Sequence, residues 1–233
     1  MLNILIPMAG HGSRFSKAGY NLPKPLIDVD GRPMIELVIK NLTPICEHRF
    51  IFICQSSHIH NTNLKAVLHS NCQSASIIEI SEVTEGAACT VLLAKELIDN
   101  NHSLMIANCD QFLGVDINKY LDEVAIKNAD GHILTMHACE DKWSYLRFGD
   151  NNSIIEVVEK EVVSNEATVG VYNFKRGSDF IAAAEEMISK NDRVNGEFYV
   201  APCYNRLLAC GLAIEYSNIE IFGGKMHGLG TPD

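Results

Sequence analysis

Short apolar runs alternate with segments of helical periodicity through the first half of the chain, and this order limits the fold more than any other feature. Two of these runs, Phe50–Cys54 and Leu104–Ala107, are apolar throughout, which is typical of strands covered on both faces. Parallel strands need a crossover between them, and the helical segments supply it. We therefore predict an α/β fold with a mostly parallel central sheet and helices on both faces. The runs are Leu2–Ile6, Phe50–Cys54, Ser76–Ile80 and Leu104–Ala107, and the helical segments are Pro33–Ile39, Asn63–His69 and Ala87–Ile98.

From about residue 131 the pattern changes to apolar runs separated by short polar turns, which predicts further strands in a mixed arrangement. No linker separates the two halves, so we predict one domain over residues 1–233 with two lobes, about 1–130 and about 131–233. The predicted strands are His132–Met136, Tyr145–Phe148, Ile154–Val158 and Thr168–Phe174, followed by helices at Ser178–Ser189 and Tyr199–Cys210 and a last strand near Ile219–Phe222.

Charge is distributed unevenly along the chain. The formal net charge of −10 argues against nucleic acid or an anionic membrane surface as a partner, because both need extended positive potential. The first 27 residues nevertheless carry three cations, Arg14, Lys17 and Lys24, and no anion. No apolar run approaches the roughly 20 residues of a membrane span. The local positive charge therefore favours a small phosphorylated ligand.

Eight cysteines raise the question of disulfide bonds. The sequence has no C-x-x-C pair and no basic-then-apolar leader with a cleavage site, so an oxidising compartment has no other support. We predict reduced, mostly buried thiols in a cytoplasmic protein.

The first apolar run is followed by a glycine turn that contains Gly10, Gly12 and Ser13. Such a turn leaves backbone N–H groups free to bind an anion. It is neither a Walker motif nor a dinucleotide fingerprint, since the third glycine of the latter would fall at Phe15. Downstream, Pro23 and Pro25 restrict the backbone around Lys24 and limit the entropy lost when its ammonium meets a ligand. Together these features predict a phosphate-binding loop.

The order P-M-A-G-x-G-S-R-F over residues 7–15, followed by P-K-P-L over residues 23–26, resembles the signature of a known enzyme superfamily. It is that of the nucleotidylyltransferases that make activated sugars and related alcohol or amino-acid phosphates, the NDP-sugar pyrophosphorylase superfamily. The resemblance implies a Rossmann-like, glycosyltransferase-A type three-layer sandwich. Later blocks extend it over nearly the whole chain: Glu85-Gly86-Ala87, Asn108-x-Asp110-Gln111, Val158-Glu159-Lys160, Val169-Gly170-Val171-Tyr172 and Gly228-x-Gly230-Thr231.

The resemblance also implies roles for individual residues. Arg14 would neutralise the departing pyrophosphate, Lys24 would contact the α-phosphate or the incoming phosphate, and Asp110 would be a Mg²⁺ ligand. These three form the predicted catalytic set, and residues 1–130 and 131–233 become the nucleotide-binding and acceptor-binding lobes. The predicted nucleotide-binding residues are Ala9, Gly10, Gly12, Ser13, Glu85, Gly86 and Ala87, and the predicted acceptor-binding residues are Tyr145, Glu159, Lys160 and Gly170.

The sequence departs from the family at one place. The family's second metal-binding aspartate precedes a T-G-T-like segment near the C-terminus, and here that place holds His227-Gly228-Leu229-Gly230-Thr231. A single Mg²⁺, a ligand supplied from elsewhere, and weaker catalysis all remain open on the sequence alone.

These features together predict an enzyme that joins an NTP, with CTP favoured, to a small phosphorylated acceptor and releases pyrophosphate. The acceptor would be a sugar 1-phosphate or a non-sugar phosphate. The pathway would be the synthesis of surface polysaccharide, such as a capsule. The protein could also form a homo-oligomer. One alternative is a nucleotide-sugar-dependent glycosyltransferase, although only Asn108-Cys109-Asp110 stands where a D-x-D motif would be. The other is a non-catalytic nucleotide-binding domain.

Overall fold

The structure, a computed structural model, describes residues 1–232 and contains thirteen strands within that range. Nine of them form one sheet, and the other four form two small ribbons, β2 with β3 and β7 with β13. In chain order the strands are β1 Leu2–Pro7, β2 Asp28–Val29, β3 Arg32–Pro33, β4 His48–Gln55, β5 Ser76–Ile80, β6 Ser103–Ala107, β7 Gln111–Leu113, β8 Gly131–His137, β9 Ser144–Phe148, β10 Ile154–Glu159, β11 Glu166–Phe174, β12 Ile214–Asn218 and β13 Met226–Gly228.

The large sheet is parallel in its first half and mixed in its second. Strands β6, β1, β4 and β5 lie side by side and run parallel, as the early apolar runs predict. Strand β11 then joins β6 in the antiparallel direction and leads to β9, β10 and β8, and β12 pairs with β8 in parallel. The predicted α/β class with a mostly parallel central mixed sheet is confirmed.

The helices of residues 1–232 lie on both faces of this sheet. They are α1 Ser13–Lys17, α2 Met34–Leu42, α3 Ser56–Asn61, α4 Leu64–Asn71, α5 Ala87–Leu92, α6 Lys95–Ile98, α7 Ile117–Lys127, α8 Gly177–Ser189 and α9 Cys203–Ala209, with 3₁₀ turns at Lys24–Leu26 and Ile219–Phe222.

The sheet separates two apolar clusters, which gives three layers. Side chains of β1 alternate between them, because successive residues of a strand point to opposite faces. Leu5 packs into the cluster under α5, α6, α8 and α9, and Ile4 and Ile6 pack into the cluster under α2, α3, α4 and α7. All three side chains are fully buried.

Helix α7 was missing from the sequence prediction. Its apolar residues Ile117, Tyr120, Leu121 and Val124 recur at helical spacing, so the sequence carried the signal of an amphipathic helix that the prediction did not use. The helix begins at a capping aspartate, Asp116, whose side chain accepts a hydrogen bond from the Asn118 amide at 2.9 Å. The Tyr120 hydroxyl donates to Asn173 Oδ1 at 2.8 Å and ties the helix to β11.

Three other predicted elements were wrong in detail. The helix predicted over Ala87–Ile98 is two helices, α5 and α6, interrupted at residues 93–94. The helix predicted from Tyr199 begins only at Cys203, because Pro202 lacks an amide hydrogen and occupies the capping position. The predicted strand at Ile219–Phe222 is a 3₁₀ turn, and the strand itself lies just before it, at Ile214–Asn218.

The prediction of mostly buried thiols holds for only part of the set. All eight cysteines are free thiols; Cys54, Cys109 and Cys203 are buried, Cys72 and Cys89 half-buried, and Cys46, Cys139 and Cys210 exposed. No helix within residues 1–232 has the length and apolar character needed to span a bilayer.

A buried histidine on β8 makes the stability of this fold pH-dependent. His132 is 2% exposed, and one ring nitrogen, Nε2, lies 2.9 Å from the Ser217 hydroxyl. Burial, with a smaller contribution from Lys127, lowers the pKa of His132 from 6.5 to about 4. The unfolded chain therefore binds a proton at a higher pH than the folded chain does, and stability falls as the pH drops from about 6.5 towards 4.

We expect the titration of His132 to lower the free energy of unfolding by about 3 kcal/mol as the pH falls across this range, at about 1.4 kcal/mol per pKa unit. Urea unfolding of wild type and His132→Gln between pH 4 and pH 8 measures it. The wild-type curve should fall more steeply than that of the variant below pH 6.5, because other titrating groups contribute equally to both. Parallel curves would refute the assignment.

Candidate functional site

The glycine turn after β1 presents unpaired backbone donors. The N–H groups of Gly10, His11 and Gly12 donate no hydrogen bond to any residue within 1–232, and Gly10 and His11 are exposed. The side-chain amide of Gln55 holds the turn from below, donating to the carbonyls of Ala9 at 2.9 Å and Gly10 at 3.2 Å. Gly12 has a φ of 58°, a conformation that favours glycine. The turn has the form of an anion-binding loop.

Lys24 stands beside this loop on a fixed backbone. Pro25 and Leu26, in the same 3₁₀ turn, are buried and anchor it. A Cβ at Gly12 would lie 3.3 Å from Lys24 Cβ, so the loop and the lysine are in direct contact. Nζ of Lys24 donates to Asp110 Oδ2, and the two side chains are 23% and 21% exposed. The structure thus joins two of the three predicted catalytic residues.

The electrostatics of Lys24 follow from this contact. Burial lowers the pKa of Lys24, but Cys109 and Asp110 outweigh it, so the pKa lies above its ordinary value of 10.5. The ammonium is therefore charged at neutral pH and largely compensated by the Asp110 carboxylate. Arg14 is exposed on α1, and it is close enough for its positive charge to disfavour the charged form of Lys24 and so lower the pKa of Lys24 slightly.

The C-terminal segment closes over Asp110. The Leu229 amide donates to the Asp110 carbonyl at 2.7 Å, and a Cβ on Gly230 would lie 2.3 Å from Asp110 Oδ2. Only glycine fits there while the carboxylate keeps its position. The sequence analysis assigned no role to Gly230; its only signal was the closing Gly-x-Gly-Thr block.

Gly170 supports the same loop from β11. Its φ is 77°, and its carbonyl accepts a hydrogen bond from the Asn108 amide at 3.0 Å. A Cβ there would lie 2.0 Å from Gln111 Oε1 and 2.3 Å from Asn108 Nδ2. Gly170 therefore lets the loop that carries Asp110 lie flat against β11.

Glu159 and Lys160 end β10 at the same end of the sheet. Glu159 is buried and accepts a hydrogen bond from the Ser144 hydroxyl. Burial raises the pKa of Glu159 above its ordinary value, despite that hydrogen bond and the Lys160 charge. Nζ of Lys160 donates to the Tyr199 hydroxyl and lies 4.5 Å from the centre of its ring.

The Glu85–Ala87 segment is held by Phe198. The Phe198 amide donates to the Glu85 carbonyl at 2.9 Å, and the Ala88 amide donates to the Phe198 carbonyl at 3.0 Å. Gly86 has a φ of 141°, and a Cβ on it would lie 2.4 Å from the Phe198 carbonyl oxygen. The predicted nucleotide segment is thus joined, through Phe198 and Tyr199, to the predicted acceptor lysine.

Tyr145 is a predicted site residue whose side chain the structure places in the core. Its side chain is 0% exposed, and its hydroxyl donates to the Glu140 carbonyl at 2.7 Å. It therefore offers no surface to a ligand in this structure. The apolar pattern of β9 already allowed this packing position.

The residues around Asp110 fit a magnesium ion that is held mainly by substrate. No group of three or more His, Cys, Asp or Glu side chains within residues 1–232 could enclose a metal. Mg²⁺ commonly uses one or two carboxylates together with substrate phosphates and waters. Asp110, half-buried beside an anion-binding loop, supplies one such carboxylate.

A large cavity lies elsewhere in the described chain. Its volume is about 760 Å³, and its lining includes Leu2 and Ser103, at the amino ends of β1 and β6. The candidate residues follow the carboxyl ends of the same strands, where ligands bind in open α/β sheets. The candidate site is therefore separate from this cavity.

Comparisons with known proteins agree with this geometry. A family model described as "Nucleotidyl transferase" matches residues 4–199. A solved nucleoside-diphosphate-sugar pyrophosphorylase from Vibrio cholerae RC9 is 29% identical, with a TM-score of 0.80 over 99% of this chain and 96% of that one. An inositol-1-phosphate CTP transferase from T. maritima is 12% identical, with a TM-score of 0.70 over 99% and 89% of the two chains, a likeness of fold alone.

Among curated sequences, a bifunctional protein GlmU from Methanococcus aeolicus is 25% identical over 178 residues. The aligned region covers 75% of this chain and 40% of the relative, so the chain matches less than half of that longer protein.

The contact between Gly230 and Asp110 can be tested by a pair of substitutions. Gly230→Ala should displace the Asp110 carboxylate and break its contact with Lys24, whereas a Cβ at Gly228 meets no atom within 4 Å. Losing the carboxylate lowers the pKa of Lys24, and each unit makes the amine about tenfold more available at neutral pH. Competitive amine acetylation read by mass spectrometry should show Lys24 several times more reactive in Gly230→Ala and unchanged in Gly228→Ala. Equal reactivity in both variants would contradict the contact.

Proposed function

Because the chain belongs to the nucleotidyl transferase family, we propose that it transfers the nucleotidyl group of an NTP to a small phosphorylated acceptor and releases pyrophosphate. The observation that carries this proposal is the convergence of the unpaired loop donors, Lys24 and Asp110 at the carboxyl ends of β1 and β6. Donors for a polyphosphate and a carboxylate for its metal ion meet there.

The reaction needs no nucleophile from the protein. A phosphate monoester with a second pKa near 6 is mostly a dianion at neutral pH. One of its oxygens forms a bond to the α-phosphorus, while the bond from that phosphorus to the bridging oxygen breaks and pyrophosphate leaves with the electron pair. The protein must align two anions and stabilise the charge that develops. In our proposal the loop amides and Arg14 receive the departing pyrophosphate.

Lys24 and Asp110 exchange partners when substrate binds. In the substrate-free structure each compensates the other. Mg²⁺ would be held by Asp110 and would supply further neutralisation of phosphate charge. Lys24 then turns to the α-phosphate or the incoming phosphate, where its charge stabilises the transition state.

The two sides of the cleft bind the two substrates. We propose that residues 1–130 form the nucleotide lobe, with Glu85–Ala87 along the nucleoside, and that residues 131–233 form the acceptor lobe within the same domain. Lys160 binds the acceptor phosphate, and Glu159 accepts hydrogen bonds from acceptor hydroxyl or amino groups. Gly170 contributes by positioning the loop of Asp110.

CTP is the nucleotide we favour, and the acceptor is a sugar 1-phosphate or a non-sugar phosphate. The product serves as a precursor of surface polysaccharide, such as that of a capsule. The support is the opening P-M-A-G-x-G-S-R-F…P-K-P-L and the presence of a CTP transferase among the structural neighbours. Eight free thiols suit a cytoplasmic enzyme. A homo-oligomer stays part of the proposal.

Pyrophosphate release tests this function. The protein is incubated with Mg²⁺, each NTP in turn and a panel of sugar and non-sugar phosphates, and CTP should give the fastest release. Lys24→Met should lower kcat about 10²- to 10³-fold, as does the loss of a donor that stabilises transition-state charge. The matched control is Lys40→Met, which removes another paired lysine, 2.7 Å from Glu36 on α2, and should leave kcat unchanged. NTP binding without pyrophosphate release from any acceptor would overturn the proposal in favour of a non-catalytic nucleotide-binding domain.

A further inference from the structure

The ammonium of Lys160 has an unusual partner. It donates a hydrogen bond to the hydroxyl of Tyr199 and lies beyond that edge of the ring, 4.5 Å from the ring centre. No carboxylate within residues 1–232 lies within ion-pair distance of this nitrogen, although Glu159 and Glu197 are near enough to influence its charge. Lys24, by contrast, is paired directly with Asp110.

A neutral partner orients a cation without cancelling its charge. Burial raises the pKa of Tyr199 above its ordinary value of 10, so the phenol stays protonated and neutral at pH 7. The hydroxyl oxygen accepts a hydrogen bond from the ammonium, worth about 1 kcal/mol. It carries no formal charge that an incoming dianion would have to displace. Lys160 is therefore held in place and still fully able to pair with a phosphate.

The tyrosine itself is firmly placed. The preceding residue, Phe198, is fully buried, and its amide and carbonyl are bonded to Glu85 and Ala88. The guanidinium of Arg193 lies 4.2 Å from the centre of the Phe198 ring. Tyr199 therefore directly follows a residue, Phe198, whose backbone is fixed by hydrogen bonds to Glu85 and Ala88.

The backbone of Lys160 is also held in a special conformation. Its φ is 57°, in the left-handed region, which costs a non-glycine residue about 1 kcal/mol or more. The Lys160 amide donates to the Trp143 carbonyl at 2.9 Å and maintains this turn. Backbone and side chain are therefore both constrained, which suits a residue whose direction matters.

We propose that Tyr199 is a positioning residue of the acceptor site, whose hydroxyl holds the Lys160 ammonium so that it meets the acceptor's phosphate without first losing an ion pair. This inference rests on the proposed function, in which Lys160 binds that phosphate. Tyr199 acts through Lys160 and has no separate role in the chemical step.

Steady-state kinetics with a turned-over acceptor provide the first test. Tyr199→Phe, which removes the hydroxyl and keeps the ring, should raise the acceptor KM about threefold. The KM for NTP should stay within twofold, because the bonds of the Phe198 backbone remain. The control is Tyr216→Phe, since the Tyr216 ring lies 5.9 Å from the nitrogen of another lysine, Lys127. An NTP effect as large as the acceptor effect would overturn the proposal.

A double-mutant cycle separates positioning from a structural role. In a Lys160→Met background, Tyr199→Phe should have no further effect on the acceptor KM, because the tyrosine then has no ammonium to hold. Additive effects of the two substitutions would overturn the proposal, since they would mean that Tyr199 contacts the acceptor or supports the fold independently.

A measurement without turnover distinguishes this inference from the proposed function. Lysines are labelled by reductive ¹³C-methylation, and the Lys160 signal, assigned by its absence in Lys160→Arg, is titrated with inorganic phosphate. Phosphate should perturb this signal at a several-fold lower concentration in wild type than in Tyr199→Phe. Identical titrations of wild type and Tyr199→Phe would overturn the inference. Failure of the proposed function would show instead as absence of pyrophosphate release from every acceptor.

Discussion

The ion pair between Lys24 and Asp110 is the contact on which the candidate site depends. The two residues are 86 positions apart in the sequence, and each follows a parallel strand of the same sheet. Both side chains are largely shielded from water, so the loss of either would leave a poorly solvated charge. The parallel arrangement of β1 and β6 brings the loops that carry them to one edge, and the ion pair then fixes the two loops relative to each other.

The space around this pair is limited by glycines from distant parts of the chain. Gly12 lies against Lys24, Gly230 against the carboxylate of Asp110, and Gly170 against the residues that flank it. Each position leaves no ordinary room for a side chain. The backbone therefore approaches the charged pair from three sides, which keeps the site narrow while leaving the loop amides free for a ligand.

The sequence predicted the parts of the molecule that depend on local patterns. The apolar runs located the parallel strands, and the glycine turn with its proline-flanked lysine located the phosphate loop. Helix α7 was missed although its apolar residues Ile117, Tyr120, Leu121 and Val124 recur at helical spacing. The position of Gly230 against Asp110 and of Tyr199 against Lys160 arises from long-range packing, which no local pattern encodes. For the same reason Tyr145, in an otherwise suitable strand, proved to be a core residue.

The two lysines of the cleft illustrate two ways in which a protein can hold a cation for a phosphate. Lys24 is compensated by a carboxylate, so its charge becomes available only when another cation takes over Asp110. Lys160 is hydrogen-bonded to a neutral phenol, so no carboxylate has to be displaced before its ammonium pairs with a phosphate. In the proposed function, the acceptor phosphate can bind to Lys160 before any rearrangement, whereas Lys24 acts only after the metal ion and the nucleotide have bound. The difference lies in the partner that each lysine has in the structure, and it gives the two substrates separate requirements for binding.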